Sequence, residues 1–222
     1  MKVIELHASV TAGNDREAEA LREEMRRQGT LLINLMSSPG AGKTTLLSRI
    51  IRDLPETGIS VLEADIASTV DAGRIEALGA EAVQVHTDGM CHMDAGMTAE
   101  AVRALTPGRS RLAFLENVGN LICPAEYDTG AALSVMILSV PEGDDKPLKY
   151  PLIFQKSDAL VITKLDALPY FDFQVEKCIQ RAKKLNPKIC IFPVSAKTGE
   201  GMAELERWLL ESLKDWQEQS GR

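Results

Sequence analysis

No apolar run in this 222-residue chain approaches the ~18 residues that a membrane span requires, so a membrane protein is not expected. Positive charge is also short: 25 Lys and Arg against 32 Asp and Glu leave a formal net charge of −7. Sequence-nonspecific nucleic-acid binding needs a clustered cationic excess, and none is present. The four cysteines have no short regular spacing, which excludes a disulfide framework and leaves each to be read singly. The amino terminus lacks a basic segment followed by an apolar one, so no secretory signal is expected and the cytoplasm is the expected location. Internal repeats and low-complexity tracts are absent as well. What remains, 45% hydrophobic and 26% charged residues, is the make-up of a globular protein with one large α/β core.

Seven short runs rich in Val, Ile and Leu are spread along the chain, at 31–36, 58–65, 81–86, 111–116, 132–140, 159–164 and 188–194. Such runs suit strands buried on both faces. Between them, 43–54, 70–78, 94–105, 146–157, 172–185 and 201–216 can each carry an apolar helical stripe. The alternation predicts an α/β fold: a mostly parallel sheet of about seven strands with helices on both faces. Ligands in such sheets gather beyond the carboxyl ends of strands, so the residue that closes each run is the one to examine. Residues 1–29 read as a separate prelude, a charged helix capped near Asn14 and ended by Gly29, ahead of a nucleotide domain at 30–222.

The segment "SSPGAGKTT" at 37–45 has the ingredients of a phosphate-binding loop. Gly40 and Gly42, with Ala41 between them, let backbone amides turn inward; Lys43 reaches the outer phosphates; Thr44, followed by Thr45, offers a hydroxyl to magnesium. Ser37 stands where glycine is usual, which predicts slight strain in the turn. Past a later strand, "TKLD" places Thr163, Lys164 and Asp166. A carboxylate accepts both N1–H and the 2-amino group of guanine and would be left without a donor beside adenine, so the base is read as guanine and the nucleotide as GTP. Ser195, Ala196 and Lys197, after the last strand, resemble the second guanine-binding loop of GTPases. Carboxylates for Mg2+ are sought at neighbouring strand ends, where Asp65, Asp71 and Glu116 lie.

A second constellation faces the same edge. Cys91 and His92 follow the third strand and Cys123, stiffened by Pro124, follows the fourth. Two thiolates and an imidazole suit Zn2+ if tetrahedral and Ni2+ if square-planar, with a fourth ligand from water or a partner chain. An incomplete set is what a transient carrier offers. His86 and Met90 are weaker additions, Cys178 and Cys190 read as core residues, and His7 has no companion. Only a short loop joins Glu116 to Cys123, so loss of the γ-phosphate can move a metal ligand and time the grip on the ion.

With both sites in view the chain resembles the hydrogenase nickel incorporation protein family, the P-loop GTPases of NiFe-hydrogenase maturation. The resemblance rests on "SPGAGKTTLL", "EADIASTVDAGRI", "GMCHMDAGM", "LENVGNLICP", "PEGDDKPLKYP", "VITKLDAL" and "SAKTGEGM" in that order. It implies a slow, regulatory GTPase that carries or gates nickel, working with other hydrogenase maturation factors and the hydrogenase large subunit. It further implies a homodimer formed through the nucleotide face when GTP is bound. Lys146 or Lys149 would then reach nucleotide phosphates across the dimer, and two copies of the Cys91, His92 and Cys123 set would complete a metal site. Residues 1–29 lack the cysteines and the histidine tract of many relatives, so nickel storage is not expected. The rival readings are a related GTPase serving urease or a cobalamin-dependent mutase, a P-loop kinase or ATP-driven assembly protein, and a metal-storage module.

Overall fold

The computed structural model describes residues 7–64, 70–87 and 89–220, the side chains of 7–11, 70, 71 and 220 excepted. All seven expected strands are present: β1 (Leu31–Ser37), β2 (Ile59–Ala64), β3 (Glu81–Val85), β4 (Leu112–Glu116), β5 (Leu133–Ser139), β6 (Ala159–Thr163) and β7 (Cys190–Pro193). They form one sheet in the order β3-β2-β4-β1-β5-β6-β7. Every pairing is parallel, so the sheet is wholly rather than mostly parallel.

The period-two geometry of a strand sends alternate residues to opposite faces, and here it fills two cores. Val135, Ile137 and Val161 pack with Leu47 of α2 (Lys43–Asp53) and Leu205 and Leu209 of α8 (Met202–Ser220). Met136, Leu138, Leu160 and Ile162 pack on the other side. Their partners are Ile153 and Phe154 of α6 (Pro151–Lys156) and Cys178 and Ala182 of α7 (Val175–Leu185). With both faces covered, the strands carry the unbroken apolar runs seen in the sequence.

β1 lies at the centre, between β4 and β5. The chain order reverses there, which opens a crevice at the carboxyl ends of β1 and β4. Leu35 pairs with Glu116 in that register, so the acid that ends β4 stands beside the turn that leaves β1.

Two local expectations are corrected. The single helix expected over 146–157 is divided into α5 (Lys146–Lys149) and α6, because Pro151 disfavours a helical Tyr150, whose φ is −130. The amino-terminal helix α1 (His7–Gln28) starts well before Asn14, so Asn14 is not its cap and its amide is used elsewhere. Ala18, Leu21 and Met25 recur at helical spacing and are buried. α1 lies against α4 (Ala95–Arg103) and α8. Arg26 covers the Trp216 ring at 4.6 Å, and the Trp216 indole donates to Thr30 O at 3.0 Å.

At the seam of α2 and α8, Glu206 meets Asp53, which also pairs with Arg49. Burial first, then the hydrogen bond with Asp53, pushes the Glu206 carboxyl from 4.5 up to about 7. A raised carboxyl pKa means that the folded state holds a proton the unfolded state has released. The contribution of Glu206 to stability is therefore greatest below 4.5 and is lost as pH rises through about 7. Glu206→Gln should leave urea midpoints unchanged at the acid end of that window and raise them above it. Phe154→Ala, which empties a fully buried site, should cost about 3–5 kcal/mol in the same unfolding measurement.

Candidate nucleotide site and metal centre

The turn between β1 and α2 supplies the first half of the site. Gly40 and Gly42 have φ of 74 and 98, a left-handed conformation open to glycine and strained for other residues. The turn thereby aims the leading amides of α2, and the positive end of its dipole, at one cavity. That cavity, about 500 Å3, is lined by Gly40, Gly42, Lys43, Thr44, Glu116 and Lys164 among others. Lys43 Nζ donates to Ser37 Oγ at 3.0 Å, and Ser37 Oγ donates to Ser38 O at 2.7 Å. The strain expected at Ser37 is absent, because Ser37 ends an extended strand. Among the described non-glycine residues only Lys164 has a positive φ.

Thr44 Oγ1 donates to Glu116 Oε1 at 3.2 Å. A hydroxyl and a carboxylate side by side are hard oxygen donors, and they fit Mg2+. Asp65 lies outside the described residues; Asp71 is the second residue of α3 (Val70–Glu76), with its side chain outside them. Glu63 of β2 and Arg74 of α3 line the cavity, and neither was picked out from the sequence.

The elements expected to read the base converge from β6 and from the turn after β7. Thr163 Oγ1 donates to Ala41 O at 2.7 Å, tying β6 to the phosphate loop. Lys164 takes φ 63 and donates from Nζ to Gly40 O at 2.8 Å, which lays its stem along the loop. Ser195 Oγ donates to Asp166 Oδ1 at 2.7 Å, and Lys197 Nζ lies 3.9 Å from Asp166 Oδ2. Arg49 braces the same turn by donating to Ala196 O at 3.3 Å. Lys149 is not among the residues lining the cavity. It pairs with Asp145 at 2.6 Å, while Lys146 sits 5.5 Å from the Tyr150 ring.

The metal candidates meet. One donor atom from each of Cys91, His92 and Cys123 falls within 4.8 Å of the others, the only such group of three found among the described residues. Cys91 is exposed and His92 buried. Cys91 Sγ lies 3.6 Å from His92 Nδ1, and Asn120 Nδ2 donates to Cys123 Sγ at 3.4 Å. The His92 ring stacks on Tyr127 at 3.9 Å and 16°. Burial lowers the His92 pKa against the pull of Asp94 and Glu126, which favours the neutral, ligating imidazole. The hydrogen bond with Cys91, and then burial, raise the Cys123 thiol, so a bound ion must displace a proton there. Two soft sulfurs and a nitrogen fit nickel or zinc as cargo.

His86 and Met90 are exposed and stand outside the three-residue group. Cys178 is fully buried, and its thiol is pushed up to about 12 by burial. Cys190 is partly buried against the main core. His7 begins α1 with its side chain outside the described residues.

Asn117 links the two sites and was missed. It lines the nucleotide cavity, its Oδ1 accepts from Met93 N at 3.1 Å and Val118 N at 2.9 Å, and its Nδ2 donates to Asn34 Oδ1 at 3.0 Å. A Cβ on Gly119 would fall 2.9 Å from Pro39 Cγ, so the same segment rests directly on the phosphate loop. The position of Asn117 just after a strand-end acid was a readable signal. Tyr127 offered none, because its partner is remote in sequence.

The family CobW/HypB/UreG, nucleotide-binding domain, matches residues 31–193. The hydrogenase maturation factor HypB of Rhizobium leguminosarum bv. viciae is 45% identical over 94% of this chain and 70% of its own. The hydrogenase/urease maturation factor HypB of Helicobacter hepaticus is 39% identical over 94% of this chain and 87% of its own. The crystal structure of HypB from Helicobacter pylori in complex with nickel aligns with a TM-score of 0.87 at 38% identity, covering 91% of this chain and 96% of that one. The chain belongs to the CobW/HypB/UreG family of nucleotide-binding proteins and, by these identities, to its HypB hydrogenase maturation factors.

Proposed function

We propose that the protein is a regulatory GTPase that holds nickel and releases it under nucleotide control during hydrogenase maturation. The observation that carries this reading is the segment from Glu116 to Cys123. One end bonds Thr44 in the nucleotide cavity, and the other end supplies a metal ligand.

In the proposed cycle Lys43 leaves Ser37 for the phosphates, while the amides of the loop and of the first turn of α2 bind the remaining oxygens. Mg2+, held by Thr44 and Glu116, would neutralise charge on the β- and γ-phosphates. Asp166, oriented by Ser195, accepts from the guanine edge, and the Lys164 stem covers the ring. When the γ-phosphate leaves, the segment packed on Pro39 is free to shift. Asn117 then transmits the shift to Met93, beside His92, and Asn120 to Cys123.

Residues 1–29 serve as an extension of the nucleotide domain at 30–222; the family match from residue 31 supports that division. Exposed Lys149, on a helix away from its own chain's cavity, suits a role across a GTP-dependent homodimer, as do the exposed Cys91 and the three-ligand metal set. No described helix is long and apolar enough to cross a membrane. Urease is the second candidate target, favoured by the name of the Helicobacter hepaticus relative. Loss of hydrogenase but not urease activity in cells lacking the protein would remove it.

Two measurements test the reading. Asp166→Ala should weaken GTP binding about ten- to a hundredfold and abolish preference over ATP in a competition assay, the cost of one charged bidentate contact. A variant that still prefers GTP would end the guanine assignment. Nickel titration of wild type and Cys123→Ser, with GDP and with a nonhydrolysable GTP analogue, should show nucleotide-dependent affinity in the wild type alone. Equal affinity in every nucleotide state would remove the coupling.

A further inference from the structure

The candidate metal ligands come from two separate loops, one after β3 and one after β4, which touch each other through Asn117 and Met93 and through Tyr127 and His92. α1 touches both. Asn14 Oδ1 accepts from Ala95 N at 2.9 Å, three residues past His92, and Asn14 Nδ2 donates to Asp128 O at 2.9 Å, five past Cys123. About two turns further along the helix, Arg22 grips the second loop again. Its Nη2 donates to both Asp128 carboxylate oxygens at 2.8 and 2.7 Å, and its Nε to Ala131 O at 3.3 Å.

Close packing repeats the pattern independently of these polar contacts. Gly130, with φ +78, lies so near α1 that a Cβ there would fall 2.8 Å from Leu21 Cδ2 and 3.1 Å from Ala18 O. A Cβ on Gly96, at the start of α4, would fall 2.9 Å from Glu17 Oε2. Asp128 adjoins Tyr127, and the Tyr127 ring is the one stacked on His92. Each loop thus has a polar anchor and a close approach on the same helix.

We infer that α1 is a clamp that sets the spacing of Cys91, His92 and Cys123, with Arg22 and Asn14 as its positioning residues. This rests on the metal reading of those three side chains. Neither Arg22 nor Asn14 belongs to the three-residue group, and neither lines the nucleotide cavity. Residues that orient metal ligands are worth about ten- to a hundredfold in metal affinity, and their loss also changes ligand geometry.

The test is nickel titration of the full chain, following thiolate-to-nickel charge-transfer absorption, for wild type, Cys123→Ser, Arg22→Ala/Asn14→Ala, Arg22→Lys and Gly130→Ala. The double variant should bind nickel about tenfold or more weakly with a shifted absorption band, while its GTP affinity stays that of the wild type. Arg22→Lys keeps the charge without the two-toothed grip and should fall between. Gly130→Ala, which removes no polar side chain but crowds Leu21 and Ala18 of α1, should shift the band in the same direction. A double variant that melts like the wild type and binds nickel with its affinity and spectrum would overturn the clamp. If the double variant does not fold, Arg22→Lys and Asn14→Ala decide by the same two readouts. Wild-type nickel binding by Cys123→Ser would instead overturn the metal reading, and the clamp with it.

Discussion

The carboxamide of Asn117 is buried, 1% exposed, and such a group is tolerable only when its donors and acceptors are matched. Its partners determine the plan of the molecule. One is Asn34 in the central strand, another is the amide of Met93 in the metal loop, and a third is the amide of Val118. Moving any of these backbone segments leaves a polar group without its partner in the interior, a cost of about 1–3 kcal/mol. The segment after β4 is therefore held in register with the phosphate loop on one side and with the metal loop on the other.

Topology makes that arrangement available. In a wholly parallel sheet every strand delivers its carboxyl end to the same edge, so β1, β2, β3, β4, β6 and β7 all release their functional loops on one side. β1 and β4 adjoin, which brings Thr44 to Glu116, and β4 continues into the segment that carries Cys123. Charge is distributed accordingly: Lys43, Arg74 and Lys164 line the cavity together with Glu63 and Glu116. Cys91, His92 and Cys123 collect outside it. α1 bonds both the loop after β3 and the loop after β4, through Asn14 and Arg22.

Much of this was legible in the chain. The seven strands announced themselves because both faces are buried, leaving little room for polar interruption. The phosphate loop was legible because left-handed turns demand Gly40 and Gly42; Thr163, Lys164 and Asp166 stood out because they are nearly contiguous, and Thr163 and Lys164 do bond that loop. The break at Tyr150–Pro151 was missed, because a continuous apolar stripe over 146–157 concealed the effect of Pro151 on Tyr150. Ser37 misled, since only its place at the end of an extended strand shows that glycine is not needed there. Asn14 misled in the opposite way: a residue type that favours helix caps sits mid-helix because its amide joins two distant loops.

The sequence by itself determined residue chemistry and local conformation: which side chains can hold phosphate, guanine or a soft metal ion, and which segments form strands and helices. Those follow from short-range sterics and from hydrophobic period, both readable within a dozen neighbouring residues. Tertiary structure alone decided which of these groups meet. Cys91 and His92 reach Cys123, Tyr127 stacks on His92, Arg22 and Asn14 span the two metal loops, and Asn117 joins both sites. Each of these contacts depends on strand order and register, which are set by the packing of the whole sheet and leave no periodic trace along the chain.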